Sequence, residues 1–375
     1  MPVPRSTGRD AGATMLADLL QRRIKDQGPI TFRDWMEAAL YDPHDGYYCR
    51  KGIERWGRAG DYRTSPERTP LFAATFAHYF TELYNQLNRP ERWTIVEAGA
   101  AAGHFAEAVL RALEQQFPQL FAITKYVLND LSATSLAAAK QRLIRFSDTI
   151  DFLPLEQLEI GEAGIIFANE LLDAFPVHRV TLEEGQLREL YVTLDDSSKF
   201  VWVTGPLSTP RLTEYFDFVG VQLHSEEQIA EVNLGAGDWL AQAVGRLPRG
   251  YLVTVDYGDE AANLFSLRDR RQGTLRAFRH HQFQNVLRNP GDNDITTTVD
   301  WTYVKKMGEK LGMETVVFER LDQFLLRAGL LEQLELMSEQ CEGEAERASL
   351  RANARELILP TAMGASFQVL VQKKV

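Results

Sequence analysis

One short stretch restricts the fold more than any other part of the chain. Residues 93–97 are mostly apolar and β-branched, which predicts a buried strand. Glycines and alanines follow, and residues 105–113 then carry apolar side chains at helical spacing. A strand, a turn of small residues and a helix form the first unit of a doubly wound sheet, which binds ligands where its strands end. The sequence therefore predicts an α/β fold with a ligand site at this turn.

The spacing of the small residues limits which ligand fits. Residues 97–103 lack the three glycines of a dinucleotide fingerprint, and no triphosphate-binding G-x-x-x-x-G-K-[ST] motif occurs in the chain. The order E-x-G-x-A-x-G is similar to the E-x-G-x-G-x-G loop of class I S-adenosylmethionine-dependent methyltransferases, with Ala101 in place of the middle glycine. A turn that only packs a helix against the sheet would show the same pattern. From this loop alone both interpretations stay open.

Length and charge narrow the class of protein. The 375 residues suit one large domain with insertions or two modest ones, and the net charge of −11 argues against nucleic acid or an anionic membrane as partner. Cys49 and Cys341 offer neither a disulfide framework nor paired metal-ligand spacing, so no metal site is predicted. No apolar run reaches the roughly 20 residues of a membrane span, and the first ten residues lack the apolar core of a signal peptide. These features predict a cytoplasmic protein.

Strand and helix patterns alternate after the first turn, which indicates a parallel sheet. The alternation breaks at Pro176, where residues 178–203 read as a β meander, and resumes with a strand over 251–258. We expect two helices within 322–357 and a final strand over 366–372. The prediction is a Rossmann-like seven-stranded methyltransferase sheet in the order 3-2-1-4-5-7-6. A helical and lid segment (1–90) precedes the methyltransferase domain (91–375), which has insertions at about 178–248 and 259–300.

An acid ends the second predicted strand. Asp130 stands where a carboxylate can accept both ribose hydroxyls of a nucleoside, as in dinucleotide folds. The alternative is that Asp130 caps the next helix. Ser132 already offers that cap, so ribose binding is the favoured hypothesis.

The fourth predicted strand ends in a polar group formed by Asn169, Glu170 and Asp173. Carboxylates at this edge of the sheet would stabilise a cationic substrate or a sulfonium centre, and a guanidinium can pair with a carboxylate through two hydrogen bonds. Asp173 could instead cap a turn, and Glu170 could be solvated. His178 is more typical of a packed strand residue than of a catalytic base.

Basic residues cluster in the second insertion of this acidic protein. They are Arg268, Arg270, Arg271, Arg276, Arg279, His280, His281 and Arg288. A solvated loop is one interpretation, and a docking surface for an acidic partner is the other. Four polar residues follow that could face the same cleft: Asp292, Asp294, Thr296 and Asp300.

Several motifs together resemble the MidA family of class I methyltransferases, which includes the mitochondrial complex I assembly methyltransferase. The family's opening is matched by residues 28–30, 41–43 and 46–48, and its G-D-F-x-T-S-P-E segment by residues 60–67. Residues 169–178 are similar to its N-E-x-x-D-A-x-P-V-H segment. Later blocks match at 256–258, 273–277, His281, 290–291, 294–296 and 299–300.

The resemblance implies methyl transfer from S-adenosylmethionine to a protein arginine, with a respiratory-complex subunit as partner by analogy. It implies that the cofactor is held by Glu97, Gly99, Gly103 and Asp130, with Gly60 and Asp61 closing over it. Glu170, Asp173 and Asn169 would orient the guanidinium. His281 and Asp294 would contact the substrate.

Two departures from the family pattern leave other classes open. The family loop reads close to E-L-G-P-G-R-G, so residues 97–103 lack its proline, middle glycine and arginine, and Thr298 stands where the family often has histidine. A non-catalytic assembly or chaperone-like protein with this fold is therefore the alternative. An NAD-dependent oxidoreductase is disfavoured by the missing three-glycine fingerprint.

Overall fold

A computed structural model of the protein describes residues 9–50, 69–266, 270–279, 282–359, 364 and 366–375. The helices in this part of the chain are α1 (Arg9–Gln27), α2 (Phe32–Tyr41), α3 (Pro70–Gln86), α4 (His104–Gln116), α5 (Pro118–Ile123), α6 (Ala133–Arg142), α7 (Arg211–Val219), α8 (Leu234–Arg246), α9 (Ala261–Leu264), α10 (Trp301–Lys310), α11 (Leu321–Arg327), α12 (Leu330–Gln340) and α13 (Glu344–Ile358). The strands are β1 (Ile30–Thr31), β2 (Trp93–Ala98), β3 (Thr124–Asn129), β4 (Ile150–Phe152), β5 (Ala163–Asn169), β6 (His178–Glu183), β7 (Gln186–Leu194), β8 (Phe200–Gly205), β9 (Ile229–Val232), β10 (Gly250–Asp259), β11 (Arg276–Arg279), β12 (Gln282–Phe283), β13 (Asp294–Thr296), β14 (Val299–Asp300), β15 (Glu314–Arg320) and β16 (Phe367–Lys374).

The chain forms two compact units. The first comprises Met1–Arg55, Ala174–Ala236 and Asp259–Tyr303, and the second comprises Trp56–Asp173, Gly237–Gly258 and Val304–Val375. The predicted sequence boundary at residue 90 stays a prediction.

The second unit contains the predicted sheet. Its strands pair in the order β15-β16-β10-β5-β2-β3-β4. The pairs from β10 to β4 are parallel, whereas β16 runs antiparallel to both β10 and β15. If these seven strands are numbered 1 to 7 along the chain and the sheet is read from β4 to β15, the order is 3-2-1-4-5-7-6. This order confirms the predicted methyltransferase sheet.

The sheet forms because its central strands are apolar on both faces. All six residues of β2 are buried, and so are the first six of β5. One large apolar cluster contains residues of β2 and β5 together with the aromatic rings of α3. Within it, the ring of Phe105 at the start of α4 stacks on that of Phe167, with centroids 4.4 Å apart. This packing fixes α4 directly behind the end of β2.

Two paired glycines allow β5 and β10 to approach closely. Gly250 lies opposite Gly164 in the parallel register. A Cβ on Gly250 would lie 1.9 Å from the carbonyl oxygen of Gly164, and Gly250 has a φ of +139°. No side chain fits there, so glycine is required where β10 enters the sheet.

The first unit holds two smaller sheets. β1-β7-β6-β9 pair in that order, with β8 on β7, and the β6–β8 hairpins confirm the meander predicted over 178–203. The second sheet has the order β12-β11-β13 and lies in the predicted insertion at 259–300.

Some boundaries predicted from the sequence are wrong. The region 322–357 contains three helices, because Gly329 takes a left-handed φ of +93° and ends α11 before α12 begins. None of the described helices combines the length and apolar character of a membrane span.

Candidate functional site

The parallel register brings three strand ends of the second unit to one edge of the sheet. Ala98, the last residue of β2, lies opposite Asn129 of β3 and Ala168 of β5. The turn after β2 therefore begins level with Asp130 and Asn169. These are the positions that the sequence predicts for cofactor and substrate binding.

The turn after β2 is left-handed at every second residue. Gly99, Ala101 and Gly103 have φ values of +72°, +45° and +75°. The N–H groups of Gly99 and Ala100 both donate to the carbonyl of Asn129, at 2.9 and 3.1 Å. These hydrogen bonds attach the turn to β3, and Gly99 and Ala101 are its partly exposed residues.

Ala101 occupies a conformation that suits glycine. The left-handed region costs an L-residue with a Cβ roughly 1–2 kcal/mol. The N–H of Ala101 donates to Oδ2 of Asp130 at 2.8 Å, and this charge-assisted bond helps hold the strained residue. The missing middle glycine therefore leaves the course of the turn intact.

Asp130 joins the turn to the start of α6. Its Oδ1 accepts the N–H of Ser132 at 2.7 Å, while the hydroxyl of Ser132 accepts the N–H of Ser135. Ser132 is thus the helix cap, as predicted. A carboxylate has about four lone-pair sites, so Asp130 keeps acceptor capacity for further donors such as ribose hydroxyls. Leu131 beside it is 81% exposed and was missed as a candidate, although an apolar residue after a strand-ending acid is visible in the sequence.

Glu97 lies in β2, two residues before the turn, and is buried. Its Oε2 accepts the hydroxyl of Tyr126 at 2.8 Å. The pKa of Glu97 is raised to about 8, mainly by burial; the hydrogen bond from Tyr126 opposes this rise, and the charge of Asp130 adds to it. The hydrogen bond links β2 to β3 just before the turn.

The end of β5 carries the predicted polar group. Glu170 has a left-handed φ of +50°, and its N–H donates to the carbonyl of Val255 at 2.9 Å. Nδ2 of Asn169 donates to Oε1 of Glu170 at 3.2 Å, while Oδ1 of Asn169 is buried without a hydrogen-bond partner among the described residues. Asp173 is buried as well. The structure thus brings together an unmet acceptor and two carboxylates, which suits a substrate that donates several N–H groups.

A further acid, Asp256, joins this group and was not predicted as a site residue. It is fully buried, and its Oδ2 accepts the N–H groups of Leu172 and Asp173 at 3.0 and 3.3 Å. Burial raises the pKa of Asp256 well above its usual range, and the charges of Asp173 and Glu170 raise it further. An acid near the end of a predicted strand, as with Asp130, is the sequence pattern that could have identified it.

His281 and Asp294 are the predicted substrate-binding residues, and the structure describes Asp294, which lies in the first unit. Asp294 is buried on β13, and its Oδ1 accepts the hydroxyl of Tyr48 at 2.6 Å. Asp292 nearby pairs with Arg50 at 2.7 Å and Arg279 at 3.1 Å. Gly60, Asp61 and His281 lie outside the described residues, so their predicted roles stay predictions.

Some arginines of the predicted basic cluster form ion pairs within the first unit. Arg270 pairs with Asp259, and Arg271 lies 3.8 Å from Glu227. Arg276 and Arg288 are exposed and make no ion pair within the described part of the chain. Arg268, His280 and His281 are outside that part. Among the described residues no group of His, Cys, Asp or Glu has the geometry of a metal site.

The edge of the sheet fits a nucleoside cofactor with a cationic sulfur. The left-handed turn presents backbone without bulky side chains, and a Cβ on Gly103 would meet Ala139 and Leu143 at 3.1 Å, so a glycine is needed there. Asp130 supplies a carboxylate and Leu131 an exposed apolar surface at the same strand end. These are the groups that a ribose and a base require.

Comparison with known proteins agrees with this chemistry. A protein-family model described as "Putative S-adenosyl-L-methionine-dependent methyltransferase" matches residues 75–319, more than half of the chain. The mitochondrial protein arginine methyltransferase NDUFAF7 of Mus musculus is 26% identical over 93% of this chain and 82% of its own length. The homologue from Drosophila melanogaster is 26% identical over 82% of this chain and 73% of its own.

A solved structure extends the comparison to the whole fold. A COG1565 superfamily protein from Burkholderia thailandensis, bound to S-adenosylhomocysteine, is 26% identical with a TM-score of 0.86, covering 100% of this chain and 95% of that chain. The predicted methyltransferase class and cofactor are confirmed. The predicted cytoplasmic location is wrong, because the named relatives are mitochondrial proteins.

We expect Glu97→Gln to change how stability depends on pH. Folded Glu97 keeps its proton to about pH 8, whereas the unfolded carboxyl loses it near 4.5, so the wild-type free energy of unfolding falls as pH rises between these values. Glutamine does not titrate, so the stability of the variant relative to wild type should rise over this window by more than about 1 kcal/mol.

Urea unfolding at pH 5, 6, 7 and 8 measures this difference. The exposed Glu91→Gln is the control and should stay parallel to wild type. Parallel curves for Glu97→Gln would show that Glu97 is not a buried, protonated acid.

We expect Ala101→Gly to leave the free energy of unfolding unchanged or to raise it by up to about 1 kcal/mol. Glycine relieves the left-handed strain at this position, and this gain offsets the greater conformational freedom that glycine gives the unfolded chain. Ala100→Gly, at a neighbouring residue without positive φ, should instead lose at least about 0.5 kcal/mol. Chemical unfolding of both variants makes the comparison. Equal losses at the two positions would contradict the strain at Ala101.

Proposed function

Since the chain belongs to the S-adenosyl-L-methionine-dependent methyltransferase family whose model matches residues 75–319, we propose that it methylates an arginine side chain of a protein substrate. The relatives named protein arginine methyltransferase support this substrate class. The observation that carries the proposal is the convergence of Asn169, Glu170 and Asp173 at the edge that also bears the glycine turn. We place the chain in the MidA branch on the motifs in its sequence.

We assign the cofactor to the turn after β2. Gly99 and Gly103 contribute backbone without side chains next to the methionine part, and the N-terminus of α4 favours its carboxylate. Asp130 accepts the ribose hydroxyls, and Leu131 packs against the adenine. Glu97 supports the turn from β2. Gly60 and Asp61 complete this assignment as residues that close over the cofactor.

The acids assist the reaction by orientation and by taking a proton. S-adenosylmethionine supplies a methyl group activated by its sulfonium. A guanidinium nitrogen forms the new bond to the methyl carbon as the carbon–sulfur bond breaks, and the N–H proton released goes to the carboxylate of Glu170 or Asp173. Both carboxylates hold the guanidinium so that this nitrogen lies in line with the breaking bond. The buried oxygen of Asn169 accepts one more N–H.

Substrate recognition is assigned to the first unit. We propose that Asp294 and His281 contact the substrate, and that the exposed Arg276 and Arg288 attract an acidic protein. A respiratory-complex subunit is the partner that the resemblance supports. A cofactor-binding assembly protein without turnover is the second candidate, and the alanine at position 101 is the observation that favours it.

We expect Asp130→Ala to weaken cofactor binding by about 10- to 100-fold, because the variant loses hydrogen bonds to a charged group at both the turn and the ribose. Isothermal titration calorimetry with S-adenosylhomocysteine measures the affinity. Asp148→Ala, an exposed acid in the loop before β4, is the matched control and should bind like wild type. Unchanged affinity for Asp130→Ala would remove Asp130 from the cofactor site.

Incubation of the protein with radiolabelled S-adenosylmethionine and a mitochondrial extract tests the reaction. We expect label in a protein band and methylarginine after hydrolysis of that band. The double variant Glu170→Gln/Asp173→Asn should still bind S-adenosylhomocysteine but lower the rate by at least about 100-fold, the scale of a lost proton acceptor. Label in methyllysine would contradict the arginine assignment, and cofactor binding without any transfer would favour the assembly protein.

A further inference from the structure

We propose that Asp256 is a positioning residue for methyl transfer, whose carboxylate holds the turn that carries Glu170 and Asp173. This inference rests on the proposed function, because it concerns the acids that the proposal places around the substrate. It goes beyond that proposal by assigning a role to a residue of a different strand.

The hydrogen bonds of Asp256 all go to backbone. Oδ2 accepts the N–H groups of Leu172 and Asp173, at 3.0 and 3.3 Å, and Oδ1 accepts the N–H of Tyr257 at 2.9 Å. Leu172 and Asp173 begin a short 3-10 helix, so their N–H groups have no acceptor within that helix. Both oxygens of the Asp256 side chain thus act as acceptors, whereas an amide would offer only one acceptor atom.

The turn needs such an anchor because it leaves β5 abruptly. Glu170 is left-handed at +50°, a conformation that surrounding contacts must hold. Its N–H binds the carbonyl of Val255, the residue next to Asp256. β10 therefore fixes the turn at both ends: Val255 holds Glu170, and Asp256 holds Asp173.

The same turn also borders the cofactor loop. The side chain of Leu171, between the two anchors, lies 3.1 Å from the position that a Cβ on Gly99 would occupy. Asp256 is fully buried and contacts the acids through the turn rather than by facing outward. Its effect on the reaction is therefore indirect, through the placement of Glu170 and Asp173.

Steady-state kinetics test the inference. The variants are Asp256→Ala and Asp256→Asn, and the substrate is the protein that the labelling experiment identifies. A displacement of about 1 Å at a reacting centre lowers rates by roughly 100-fold. We expect kcat to fall by at least about 10-fold in Asp256→Ala and less in Asp256→Asn, whose amide oxygen can still accept from the turn. Affinity for S-adenosylhomocysteine should stay within about threefold of wild type, since neither variant removes a group that we assign to the cofactor.

Thr254→Val is the matched control. Thr254 lies two residues earlier on β10, is also buried, and its hydroxyl has no hydrogen-bond partner within the described part of the chain, so the isosteric change should leave kcat unchanged. If Asp256→Ala does not fold, Asp256→Asn alone decides, with its fold checked by circular dichroism. Wild-type kcat in a folded Asp256 variant overturns the inference, and so does an equal loss in Thr254→Val. A wild-type protein that transfers no methyl group instead refutes the proposed function.

Discussion

Parallel pairing of β2 with its two neighbours is the constraint on which the site depends. Because the register aligns Ala98 with Asn129 and with Ala168, three chain segments leave the sheet at one level. A slip of a single residue would turn each following side chain to the other face of the sheet. The apolar cluster behind β2 and β5 prevents this, since a slipped strand would expose buried residues to water. The core thus fixes the geometry of polar groups that it does not itself contain.

Several acidic side chains lie at that edge, and backbone N–H groups offset part of the free-energy cost of burying them. Asp130 and Asp256 each accept at least two backbone N–H groups, although burial and the charges of Asp173 and Glu170 still raise the pKa of Asp256 well above its usual range. Glu97 has the hydroxyl of Tyr126 as partner, and burial dominates its pKa. A cationic ligand would add the attraction that the edge lacks on its own.

The sequence predicted the sheet order and the residues at the strand ends because both follow from local patterns. Apolar runs identify strands, and a polar residue at the end of a run marks the edge where ligands bind. The position of Asp256 near a strand end is visible in the sequence, but its hydrogen bonds to residues more than 80 positions earlier are not. The left-handed φ of Glu170 and the third helix in 322–357 were equally hidden. Both depend on tertiary contacts or on a single glycine rather than on periodicity.

The left-handed backbone of Glu170 has one more consequence. Because β10 already holds this residue in an unfavourable conformation, the entropy of ordering the turn is lost when the chain folds. A partner that meets the turn finds it preorganised, and little of the binding energy is spent on immobilising it. A preorganised turn of this kind requires no conformational search before a partner can bind.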